Sequence, residues 1–131
     1  MDEFLAELTA VAPAAGRGDY AFAGQNGDRR GFVQIIVNSD RQVTIHRLWT
    51  PEPGAGNGAI MLRVLCDLAD RHGIELKLRP LPFGRKPYPM KRDQLLAWYQ
   101  RHGFAGTHRK MIRPPLGASI TGPAHQLQRP R

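Results

Sequence analysis

Glycines take every second position from 54 to 58, in the run Pro51-Glu52-Pro53-Gly54-Ala55-Gly56-Asn57-Gly58. Neither a strand nor a helix can pass through it, because two prolines remove backbone donors and three glycines remove stiffness. Upstream, residues 42–50 alternate as a strand does. Downstream, residues 59–72 carry the clearest helical pattern in the chain. Met61, Leu62, Val64, Leu65, Leu68 and Ala69 line one face, with Arg63, Asp67, Asp70 and Arg71 opposite. A glycine turn that opens a helix directly after a strand can aim successive N–H groups at one spot, where the helix dipole adds favourable potential. A phosphate or pyrophosphate suits such a place. The plainer alternative is a turn with no guest, and the glycines alone do not decide between the two.

The remaining segments are read in the same way. Residues 2–12 space Phe4, Leu5, Leu8 and Val11 as a helix, with acidic residues in the first turn and Pro13 and Gly16 ending it. Residues 19–24 form a short strand, Gln25-Asn26-Gly27-Asp28 a hairpin turn, residues 31–38 a second strand and residues 42–50 a third. After the long helix, capped by Gly73, Glu75-Leu76-Lys77-Leu78-Arg79 returns to the sheet. A proline-rich loop leads to a helix over 94–102, with Asp93 as its N-cap and Gly103 at its end, and residues 104–112 supply one or two final strands. The expected organisation is one domain over residues 1–113 and an extended basic tail, rich in proline, over residues 114–131.

Composition narrows the function classes. The lone Cys66 forms no internal disulfide and sits in a helical context that favours packing, and no His-x-His cluster or second thiol offers a metal site. The apolar runs are too short for a bilayer and the N-terminus is acidic where a secretory signal is basic, so a soluble cytoplasmic protein is the expectation, with no membrane partner. The net charge of +8 attracts anions. Lys77, Arg79, Arg85, Lys86, Lys91 and Arg92 fall between residues 76 and 92 with no acid among them, which reads equally as a solvated loop and as an anion-binding one.

Two nucleotide motifs are excluded. A Walker A loop ends in Gly-Lys-Ser/Thr where this chain has Gly58-Ala59-Ile60, and the Gly-x-Gly-x-Gly spacing is not that of a dinucleotide fingerprint. The later segment Leu95-Leu96-Ala97-Trp98-Tyr99-Gln100-Arg101-His102-Gly103-Phe104 reads by itself as an amphipathic helix with a glycine stop. Taken together, however, Gly54-Ala55-Gly56-Asn57-Gly58-Ala59 and Tyr99-Gln100-Arg101-His102-Gly103-Phe104, separated by a helix and a strand, resemble the GNAT N-acetyltransferase superfamily. Its members carry Arg/Gln-x-x-Gly-x-Gly/Ala at one helix start and Tyr-x-x-x-Gly-Phe near the end of a later helix. The resemblance covers roughly residues 31–113, closing with Met111-Ile112-Arg113.

That resemblance implies an α/β fold with a mixed, mostly antiparallel sheet, a splayed strand pair and flanking helices. The splayed strands fall at 43–50 and 75–79, and acetyl-CoA or another acyl-CoA would lie between them. Its pyrophosphate would meet the backbone from Gly54 and Ala55 through Gly56, Asn57, Gly58 and Ala59, with Trp49 and Thr50 on the approach and Arg85 and Arg92 as further cofactor contacts. Arg63 or Lys86 is an alternative partner for the outlying phosphate. Tyr99 would protonate the departing thiolate, and His46, on the strand entering the turn, is the candidate base, with Glu52 behind it. The sequence departs from the family at Pro53, which stands where Arg or Gln is usual, and at Arg92, where many members have asparagine. Only one short helix precedes the meander where full-length members build the acceptor site from two.

Three functions are thus expected: acyl-CoA-dependent transfer to a primary amine of a small molecule or protein, a catalytically silent GNAT-like protein with a structural role, or anion or nucleic-acid binding, the last not favoured. The silent form would assemble with protein through its tail, as in a virion of a tailed phage.

Overall fold

The computed structural model describes residues 1–23, 29–50, 56–81 and 90–116. Along them run α1 (Asp2–Val11), β1 (Ala14–Gly16), β2 (Asp19–Ala23), β3 (Arg29–Ser39), β4 (Gln42–Trp49), α2 (Asn57–His72), β5 (Glu75–Leu78), α3 (Arg92–Arg101), β6 (Ala105–Thr107) and β7 (Lys110–Arg113). The strands make one sheet in the order β1-β2-β3-β4-β5-β7-β6. β1 to β4 are an antiparallel meander. The β4–β5 pair is parallel, since α2 carries the chain back to the starting end of the sheet before β5 begins. β7 then returns antiparallel to β5, and β6 closes the edge. This is the mixed, mostly antiparallel α/β architecture that the sequence leads one to expect.

Strand alternation divides the side chains between two faces. Val33, Ile35, Val43, Ile45, Leu48, Leu76, Leu78 and Met111 join Phe4 and Leu8 of α1, Met61, Leu62 and Leu65 of α2, and Leu95 and Tyr99 of α3 in a single core. All three helices therefore cover the same face of the sheet. On the opposite face stand Phe32, Gln34, Ile36, Thr44, Arg47, Lys77 and Ile112, none of them buried. Deleting a fully buried core side chain such as Leu62 costs about 2–5 kcal/mol.

Two boundaries differ from expectation. β1 is an unexpected strand: Ala14, Ala15 and Gly16 are all exposed, so backbone pairing alone makes it. α3 starts two residues early, with Lys91 rather than Asp93 as its N-cap. Gln94 decides this, because its Oε1 accepts the Lys91 N–H at 2.9 Å, which is half of a capping box. Asp93 instead lies with its Oδ1 3.1 Å from His108 Nε2. The expected hairpin turn at 25–28, most of the proline-rich loop and most of the tail lie outside the described residues.

Candidate cofactor site

β4 and β5 run in register for four residues only, from Gln42 opposite Glu75 to Ile45 opposite Leu78. Beyond Ile45, β4 continues to Trp49 still paired with β3, while β5 has ended. The expected parting of the two strands therefore begins after Ile45 and Leu78.

A bulge sits at the same point. Gln34 pairs with Arg47 and its neighbour Ile35 with Ile45, so His46 is an extra residue in β4. His46 and Arg47 are both exposed, whereas Ile45 and Leu48 on either side are buried. The apolar spacing of three between Ile45 and Leu48 is the mark of this bulge in the sequence. The bulge puts the candidate base His46 at the mouth of the parting, with no hydrogen bond or ion pair to another described residue.

The helix after the glycine turn starts beside this opening. Gly56 is the N-cap of α2 in the left-handed conformation, at φ 84°, and as a glycine it brings no capping side chain of its own. The first N–H groups of a helix have no intrahelical acceptor, and the dipole makes this end positive. A Cβ at Gly56 would meet nothing within 4 Å, so its glycine serves the backbone angle. At Gly58 a Cβ would stand 3.8 Å from the Trp98 indole and 3.9 Å from the Thr50 methyl. The α2 terminus, the end of β4 and α3 thus converge on one place. Trp49, half-buried, packs at 5.3 Å against Phe32. A left-handed helix entry beside a strand parting fits a pyrophosphate joined to an extended arm.

Tyr99 lies inside the core, 3% exposed, between Trp98 at 5.0 Å and Phe104 at 5.5 Å between ring centroids. Burial pushes its phenol well above the ordinary value, so it stays protonated across the neutral range. His102, one turn after Trp98 and 5.1 Å from it, is shifted downward by burial and then by the charges of Arg63, Arg101 and Arg113. Arg92, Asn57 and Ala59 sit in the first turns of α3 and α2, with Arg92 exposed. Gly54, Ala55, Arg85, Lys86, Glu52 and Pro53 lie outside the described residues. The sequence singles out neither Trp98 nor Arg47, since neither residue type nor spacing tells which strands part. Cys66 is buried, and burial pushes its thiol up to about 11.

Among the described residues, no group of three or more His, Cys, Asp or Glu could hold a metal, and no helix is long and apolar enough to cross a membrane. A polar groove bounded by Asp2, Asp40, Arg41 and His72 lies at the other end of the sheet, below the C-terminus of α2, and takes no part in this site.

No protein-family model matches the sequence, and the comparison with curated proteins finds no match. Solved structures do match. The anti-CRISPR protein AcrVA5 aligns at 17% identity and a TM-score of 0.55, over 72% of this chain and 97% of its own. An acyl-CoA N-acyltransferase from Pseudomonas aeruginosa aligns at 18% identity and a TM-score of 0.52, over 72% of this chain and 68% of its own. Nourseothricin acetyltransferase aligns at 21% identity over 73% of this chain, with a TM-score of 0.49, and the present chain spans 64% of that protein's length. These likenesses at TM-scores above 0.5, with the seven-stranded mixed sheet described above, show that this chain has the fold of the GNAT N-acetyltransferases, in a compact form.

Proposed function

We propose that this protein is an acyl-CoA-dependent N-acyltransferase that acts on a primary amine. One observation carries the reading: the parting of β4 from β5 opens beside a helix N-terminus whose entry residue, Gly56, is left-handed and brings no capping side chain of its own. An extended pantetheine arm suits the parting, where strand backbone lacks a strand partner, and a pyrophosphate suits the helix entry. Acyl-CoA would supply a thioester whose carbonyl carbon is open to attack. Around it, the α2 entry would hold the phosphates with Gly56, Asn57, Gly58 and Ala59, joined by Gly54 and Ala55. Trp49 and Thr50 would flank the arm, and Arg85 and Arg92 would balance phosphate charge.

Catalysis would rest chiefly on positioning the amine against the thioester. Tyr99 would give its proton to the departing sulfur, a role that rests on its place in the Tyr-x-x-x-Gly-Phe segment. His46, exposed on the bulge, would take the proton that the amine loses on forming its amide. The sum is amine plus thioester giving amide plus thiol. The test is thiol release from acetyl-CoA across a panel of primary amines, compared with Tyr99→Phe and His46→Gln. Turnover lost in both variants with cofactor affinity kept supports the assignment. Turnover untouched in both overturns it.

A second reading has one observation in its favour. Tyr99 is buried within the hydrophobic core, as a purely structural tyrosine would be. A GNAT-like protein without catalysis would then act by assembly, through residues 114–131, and would bind no acyl-CoA.

A further inference from the structure

Just past the point where β4 and β5 part, each strand presents one arginine to the uncovered face of the sheet. On β4 this is Arg47, opposite Gln34 and exposed. On the other side it is Arg79, one residue beyond β5, exposed between buried Leu78 and Pro80. Lys77, opposite Thr44 on the same face, adds a third positive charge. Among the described residues none of the three has an ion pair or a hydrogen bond from its side chain. Among the described residues, Glu75 neighbours Lys77 on this face but accepts from Gln42 Nε2 at 2.6 Å, and Asp19 lies two strands away in the row Asp19–Gln34–Arg47. Two strand spacings are about 10 Å, roughly a Debye length, so Asp19 screens Arg47 little.

Resting on the acyltransferase reading above, we propose that the acceptor amine belongs to a molecule that also carries a carboxylate or a phosphate, and that Arg47 and Arg79 hold this anion beside the parting. Guanidinium groups pair with both anions through parallel N–H donors. The face is the right one for the acceptor. The three helices, α2 with its Gly56 entry among them, lie on the other side of the sheet, so an amine approaching from the bare face reaches a thioester in the parting without crossing a pyrophosphate at that entry. The anion takes no part in the bond changes: the amine nitrogen bonds the acyl carbon, the carbon–sulfur bond breaks, the sulfur gains a proton and the nitrogen loses one. The arginines therefore act on acceptor binding rather than on the chemical step.

The test uses the full chain, acetyl-CoA and two matched amine pairs, lysine against cadaverine and O-phosphoethanolamine against ethanolamine. In at least one pair the anionic member should have a kcat/KM about tenfold higher or more, and the pair that responds identifies the anion. Arg47→Gln and Arg79→Gln should each raise KM for that acceptor about tenfold while kcat and the KM for acetyl-CoA stay within about twofold. Arg109→Gln, which removes an exposed charge on the β6–β7 turn, should change neither. Equal or better use of cadaverine and ethanolamine overturns the proposal. So does a loss of acetyl-CoA affinity in the two variants with acceptor KM unmoved, which would give the arginines to the cofactor. If no amine turns over, calorimetric binding of the same four compounds decides: binding of an anionic member that both variants weaken supports the site, and its absence overturns it. Failure of acetyl-CoA to bind is a separate outcome and sinks the acyltransferase reading itself.

Discussion

Arg113 grips Asp70 with two guanidinium nitrogens, at 2.7 and 3.0 Å, and its Nε donates to the carbonyl of His102 at 2.8 Å. Asp70 in turn accepts the N–H of Leu116 at 2.7 Å. One side chain of β7 thus joins the last turn of α2 to the end of α3, and the segment after β7 is tied to the same carboxylate. Arg113 is 6% exposed, so these bonds are shielded. Arg113→Leu leaves Asp70 without its partner and should cost about 2–4 kcal/mol, because a shielded charge loses its compensation. Chemical denaturation checks this. Asp70→Asn should cost a similar amount, since it leaves the more buried Arg113 guanidinium without its counter-charge.

Replacing Gly56 by valine should weaken acetyl-CoA binding about tenfold or more. A β-branched residue at φ 84° is strained by roughly 1–2 kcal/mol even though space for its side chain is free, so the helix entry must rearrange. Thermal denaturation of the variant separates a lost site from a lost fold: a small shift in Tm with a large loss of affinity is the expected combination.

His102 makes stability depend on pH. Its folded pKa lies below the ordinary 6.5, chiefly through burial and then through Arg63, Arg101 and Arg113. The unfolded chain therefore binds its proton first on acidification. Stability is fully present above about pH 6.5 and declines as pH falls through the folded value. Glu7 acts further down: the His72 imidazole 3.3 Å away, helped by Arg71, lowers its carboxyl below the usual 4.5, so its contribution is present above that value and is lost at more acidic pH. Urea midpoints from pH 7.5 to pH 3 should fall in two stages, and His102→Gln should remove most of the first.

Cys66 should resist thiol reagents in the folded protein. It is buried, and burial pushes its pKa up to about 11, so thiolate is scarce and access is closed at neutral pH. Labelling by an aromatic disulfide reagent should be complete within minutes in denaturant and many times slower in buffer. Cys66→Ala should keep cofactor binding.

Much of this arrangement was legible in the sequence, and the exceptions have physical causes. α2 was clear because a wide apolar stripe from Met61 to Ala69 meets a left-handed cap at Gly73, both of which are local signals. The meander was readable from alternation. β1 was not, because Ala14, Ala15 and Gly16 are exposed and paired through backbone alone. α3 was started late because aspartate is a stronger local cap signal than lysine, while the deciding contact comes from Gln94. Of the site, the glycine turn and Tyr99 were visible as residue types at set spacing. The uncovered face and the placing of Arg47 and Arg79 just past the last β4–β5 pair were not, since they follow from which strands neighbour each other, a property of contacts far apart in sequence.

The central claim is that an acyl-CoA lies across the parting of β4 and β5 with its pyrophosphate at the α2 entry. Calorimetric titration with acetyl-CoA, with desulfo-CoA alongside, tests it most directly. Saturable one-to-one binding of both compounds in the micromolar range, lost in Gly56→Val while the fold survives, is the result this account predicts. No heat of binding at millimolar cofactor would contradict it, leaving the fold in place and the acyltransferase reading without its substrate.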